Sequence, residues 1–157
     1  MEDHTRIIGK RPATVRGMVS SEHRQKTCIL ALDDEPGFLE FLKEALERYG
    51  YRVHTAYSPK DAIRFYEERW RDINMVFLDF LLPGMSGDAV FDEFQRINPD
   101  VRVVLLTGCQ SSVADPLIKK GLRGYLPKPF SLPDLAQVVR DAISAPAAVS
   151  AASPVPA

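Results

Sequence analysis

The chain has 157 residues, 45% of them apolar and 26% charged, which suits one soluble domain with tails. Twenty basic and 21 acidic side chains leave a formal charge of −1, which argues against a chain-wide footprint for nucleic acid or an anionic membrane. Two cysteines cannot build a disulfide framework, no apolar run approaches the roughly 20 residues of a membrane span, and the N-terminus lacks the apolar stretch of a secretory signal, so a cytoplasmic setting is expected.

Residues 1–26 show no sustained periodicity, and Arg6, Lys10, Arg11, Arg16, Arg24 and Lys26 there outnumber Glu2, Asp3 and Glu22. Composition reads them as a flexible extension; a basic arm for an acidic partner is the sharper alternative. The patterned region runs over 27–144 and alternates short apolar runs with helical spacings. Cys28–Leu32 predicts a strand, then Phe38, Leu42, Ala45, Leu46 and Tyr49 a helix between Pro36 and Gly50. Tyr51–Thr55 is more polar, as suits an edge strand, and Ser58-Pro59 opens a second helix. Met75–Leu78 predicts a third strand, and Ser86 caps a helix with Val90, Phe94 and Ile97 inward. Val101–Leu106 predicts a fourth strand. Val113, Ala114, Leu117, Ile118 and Gly121 are helically spaced, but Pro116 falls among them, so this helix is expected to start late or be distorted. Gly124–Leu126 is the fifth strand. Ser131 caps the last helix, with Leu132, Leu135, Val138, Val139, Ala142 and Ile143 inward. Residues 145–157 hold only Ala, Pro, Ser and Val and read as a flexible tail or linker.

Strands and helices in alternation imply a doubly wound α/β fold whose parallel sheet has helices on both faces. Ligands then sit beyond the carboxyl ends of the strands. Asp33 and Asp34 end the first strand, Asp79 the third and Thr107 the fourth, while Lys128 follows the fifth. Crowded carboxylates resist ionisation without a cation, and hard oxygen donors in that number suit Mg²⁺. Taken singly, each residue has a plainer reading: Asp33-Asp34 as a helix cap, Thr107 as a strand residue, Lys128 as a solvated charge. Asp79 is harder to dismiss, because an aspartate closing a buried strand is costly for packing.

The sequences ILALDDEP, VFLDFLLPGMSG, VVLLTG and GYLPKPF together resemble the receiver domain of two-component response regulators, across nearly all of 27–144. The resemblance implies a flavodoxin-like receiver fold with strand order 2-1-3-4-5. It implies that Asp79 accepts a phosphoryl group from the phosphohistidine of a sensor histidine kinase or histidine phosphotransfer domain. It implies that Asp34, Asp79 and the backbone oxygen of Leu81 bind Mg²⁺, with Asp33 acting through a water. Lys128 would pair with the Asp79 carboxylate and then the phosphoryl oxygens, and Thr107 would hydrogen-bond the phosphoryl group. Thr107 and Tyr125 would form the switch, altering the surface built from helix four, strand five and helix five. That surface would meet an unknown downstream protein or a second phosphorylated copy. The Lys128-Pro129 bond is expected to be cis on the same ground.

Only 13 residues follow the last helix, so no DNA-binding output domain is expected. The expected activity is phosphoacceptor signalling, with self-phosphorylation and slow loss of the phosphoryl group, slow because apolar Leu81 orients no attacking water. Two other readings stay open: an aspartate-nucleophile phosphohydrolase, disfavoured because Asp79-Phe80-Leu81 lacks a second aspartate two residues on, and an excised receiver of a hybrid kinase or transcription factor. Cys28 and Cys109 lie at opposite sheet edges and cannot pair.

Overall fold

The computed structural model describes residues 27–108 and 113–146. The proposed N-terminal extension, most of the proposed tail, Cys109 and the approach to the fourth helix lie outside them. Five parallel strands alternate with five helices: β1 (Cys28–Leu32), α1 (Pro36–Arg48), β2 (Arg52–Ala56), α2 (Pro59–Arg69), β3 (Met75–Asp79), α3 (Gly87–Ile97), β4 (Val103–Thr107), α4 (Asp115–Lys119), β5 (Gly124–Pro127) and α5 (Leu132–Ser144). The sheet order is β2-β1-β3-β4-β5, as expected from the resemblance.

Strands β1, β3 and β4 are buried at every position, whereas β2 exposes Arg52 and half-buries His54 and Thr55. Side chains alternate across a strand, so each central strand feeds two cores. Leu30, Leu32, Val76, Leu78, Val103 and Leu105 pack with Tyr66, Phe91 and Phe94 from α2 and α3. Ile29, Ala31, Met75, Phe77, Val104 and Leu106 pack with Leu39, Leu42, Leu135 and Val139 from α1 and α5.

The helix starts follow their chemistry. Ser58, Ser86 and Ser131 each accept a hydrogen bond from the backbone N–H three residues on, satisfying one otherwise orphaned donor. Gly50 after α1 has φ +92°, a conformation that costs glycine little. Tyr51 donates its N–H to Leu46 O and so closes α1; the strand accordingly begins at Arg52, one residue later than the apolar run suggests. Among the described residues α4 starts at Asp115 with Pro116 in its first turn, where the missing N–H costs nothing, in line with the expected late start. No helix of the described residues is long and apolar enough to cross a membrane.

Candidate acidic site at the carboxyl edge of the sheet

Parallel pairing brings the ends of β1, β3, β4 and β5 to one edge. Asp33 comes one residue after β1, Asp79 closes β3, Thr107 closes β4, and Lys128 comes one residue after β5. Asp33 and Asp79 continue the alternation that turns Ile29, Ala31, Met75 and Phe77 toward α1 and α5, so they face the same side.

Asp33 is 1% exposed. Its N–H donates to Ala56 O at 3.3 Å, tying the end of β1 to β2. Its Oδ1 accepts from the Glu35 N–H at 2.9 Å, an Asx turn leading into α1. Glu35, not Asp34, is the residue that precedes the helix, and it makes no side-chain cap. The helix-cap reading of Asp33-Asp34 therefore falls, and Asp34 is left exposed beside the two buried carboxylates.

Asp79 is 7% exposed. Burial and the neighbouring Asp33 push its carboxyl up from 3.8 to about 6; Lys128 and the Leu81 backbone N–H pull the other way, and Asp34 adds to the rise. One carboxylate oxygen from each of Asp33, Asp34 and Asp79 lies within 4.8 Å of the other two, a donor set of hard oxygens with excess negative charge.

Lys128 supplies the opposing charge. Its N–H donates to Thr107 O at 2.8 Å, extending the β4–β5 ladder by one step, and its bond to Pro129 is cis, as expected. Its Nζ lies 2.8 Å from Asp33 Oδ2 and 3.6 Å from Asp79 Oδ1, so the closer pairing is with Asp33 rather than with Asp79. Asp33 is the more deeply buried carboxylate and has the greater need of a counter-charge. A third neighbour was not expected: the ammonium sits 4.1 Å from the ring centroid of Phe38. Helical spacing had marked Phe38 only as a core residue, because periodicity registers a face and not the loop opposite it.

Thr107 is 1% exposed at the end of β4, adjacent to the Leu106 that pairs with Asp79. Tyr125 stands opposite Leu105 on β5, half-buried against the α2–α3 core rather than among the carboxylates. Leu81 exposes 61% of its surface next to Asp79.

Comparison with known proteins identifies the family. Residues 29–140 match the response regulator receiver domain family. The chain is 32% identical to sensor kinase CckA of Brucella abortus over 114 residues, 72% of this chain but 12% of CckA. It is equally identical to the transcriptional regulatory protein GlrR of Escherichia coli over 123 residues, 76% of this chain and 27% of GlrR. The crystal structure of a response regulator receiver domain protein from Clostridium thermocellum superposes with TM-score 0.72 at 34% identity, covering 74% of this chain and 94% of that one. The chain belongs to the response regulator receiver domain family of two-component signalling, and it spans about an eighth of CckA and about a quarter of GlrR.

Proposed function

We propose that Asp79 is the phosphoacceptor of a two-component phosphorelay. The observation that carries this is the buried carboxylate at the end of β3, with a lysine ammonium 3.6 Å away and two further carboxylates within 4.8 Å. An Asp79 oxygen attacks phosphorus, the P–N bond of the donor phosphohistidine breaks, and the imidazole takes the electron pair and later a proton. The product is an aspartyl phosphate. Lys128 leaves Asp33 to meet the phosphoryl oxygens, and Thr107 donates a hydrogen bond to them. Positioning and charge neutralisation do most of the work in phosphoryl transfer.

The donor set fits Mg²⁺. Asp34 and Asp79 would hold it, with the Leu81 carbonyl; Asp33 would act through a water, since Lys128 and the Glu35 N–H already engage its two oxygens at 2.8 and 2.9 Å. Bound there, Mg²⁺ supplies charge neutralisation of carboxylates and phosphoryl oxygens. The expected donor is a sensor histidine kinase or histidine phosphotransfer domain in the cytoplasm. The output is a switch in which Thr107 is drawn toward the phosphoryl group and Tyr125 packs inward behind it, altering the α4–β5–α5 surface for a downstream protein or a second copy. We read residues 27–144 as the working unit.

Incubation of the chain with acetyl phosphate and Mg²⁺, followed by intact mass measurement, tests the reading. One phosphoryl adduct is expected, absent in Asp79→Asn and in EDTA; an adduct that survives in Asp79→Asn overturns it. With apolar Leu81 beside the acceptor, the adduct should last minutes or longer, and decay within seconds would contradict slow self-dephosphorylation.

A further inference from the structure

We infer that Phe38 is a positioning residue for phosphoryl transfer, holding the Lys128 ammonium over its ring face between Asp33 and Asp79; this rests on the reading of Asp79 as acceptor. Lys128 has two tasks that conflict. It must neutralise Asp33 at rest, 2.8 Å away, and it must reach the group that forms on Asp79, whose oxygen is 3.6 Å away. Held by Asp33 alone, the ammonium would be free to follow that carboxylate or turn to solvent, for the side chain is 23% exposed. A ring face 4.1 Å from Nζ attracts the cation from the α1 side and does not compete as a hydrogen-bond acceptor. Lys128 can therefore swing between the two carboxylates without losing this contact.

The ring is itself fixed in place. Phe130 meets Phe38 edge-to-face at 6.1 Å and 83°, and Phe41 lies 6.3 Å from Phe38 and 6.4 Å from Phe130. Phe130 follows Lys128 by two residues, so one short loop carries both the lysine and the ring that braces its platform. The three rings, Lys128 and Pro129 line a cleft of about 420 Å³ beside the acidic site. A leucine at 38 would fill the volume but present no quadrupole. The aromatic face, not merely the bulk, is what the reaction uses.

The test separates the ring's electrostatics from its bulk. Phe38 is replaced by pentafluorophenylalanine, whose face repels a cation, and separately as Phe38→Leu and Phe38→Tyr. The rate of adduct formation is measured with acetyl phosphate and saturating Mg²⁺, so that protein docking plays no part. In parallel, the ring-current shift on the Lys128 ε-methylene protons is read by NMR. The fluorinated chain and Phe38→Leu should react about three- to thirtyfold more slowly, Phe38→Tyr within about twofold of wild type, and the ring-current shift should vanish in Phe38→Leu. The fluorinated ring keeps the apolar bulk, so a rate equal to wild type in that chain, with or without a slow Phe38→Leu, assigns the ring to packing alone and overturns the inference. Failure of the wild-type chain to form an adduct is a different result: it removes the acceptor reading beneath the proposal, and the proposal with it.

Discussion

Asp79 is where the sequence and its physical cost meet. A carboxylate closing an otherwise apolar strand, beside two more, can be read from the chain because each stands at a strand end and parallel strands share their ends. The electrostatic consequence can be worked out with its sign. Its folded pKa is raised from 3.8 to about 6, so the metal-free fold favours the neutral carboxyl. That contribution is fully present below the unfolded value and is lost as pH rises through about 6. Asp79→Asn removes the penalty. In EDTA at pH 8 it should therefore be more stable than wild type by roughly 2–3 kcal/mol, the gap closing toward pH 4, as urea unfolding at the two pH values would show. A gap that is the same at both would contradict the assigned shift. What could not be read was the pairing of Lys128. Strand ends place it near both buried carboxylates, but which one it contacts depends on how deeply each is buried and on the Glu35 N–H that orients Asp33. Phe38 escaped for the same kind of reason, since its contact crosses from α1 to a loop 90 residues on.

At the scale of elements, the caps at Ser86 and Ser131 and the helix start at Ser58 were legible because an N-cap is a local contract between one hydroxyl and one N–H. Boundaries were less so. Tyr51 looks like a strand residue, yet its N–H belongs to the end of α1. The apolar run at Val101 begins two residues before β4, because Val101 donates to Asn98 O and closes the turn after α3. One close approach bears on the site directly. Gly87, the first residue of α3, donates its N–H to Phe80 O at 3.1 Å, and a Cβ there would meet Phe80 Cα at 2.9 Å and its carbonyl oxygen at 3.0 Å. Backbone must give way, and the backbone in question follows Asp79. Gly87→Ala should cost about 1–3 kcal/mol and slow adduct formation as well, read by thermal unfolding beside the phosphorylation rate. Loss of stability with an unchanged rate would show that the β3–α3 loop does not transmit the strain to Asp79.

Across the whole molecule, the class of fold followed from alternation, but the order of the strands did not. β1, β3 and β4 are buried at every position, so their patterns do not say which lies in the middle. The order 2-1-3-4-5 came from resemblance, and the sheet has it. The polar β2 marked one edge correctly because only an edge strand tolerates Arg52 exposed beside half-buried His54 and Thr55. The proposed Mg²⁺ site ties three carboxylates at the carboxyl edge to the stability of the whole fold, and it can be tested at that scale. Mg²⁺ at about 100 times its dissociation constant should stabilise the chain by about 2.7 kcal/mol, and the shift should shrink in Asp34→Asn, as melting curves with and without the metal would report. No shift in wild type would speak against a cation at these residues. The central claim concerns one atom's bond to phosphorus, and chemical trapping tests it most directly. The chain is phosphorylated with acetyl phosphate and Mg²⁺, the acyl phosphate is reduced with borohydride, and the digest is sequenced by mass spectrometry. Homoserine at position 79 is the predicted result; homoserine at 33 or 34 instead, or at no position despite a phosphoryl adduct, would contradict it.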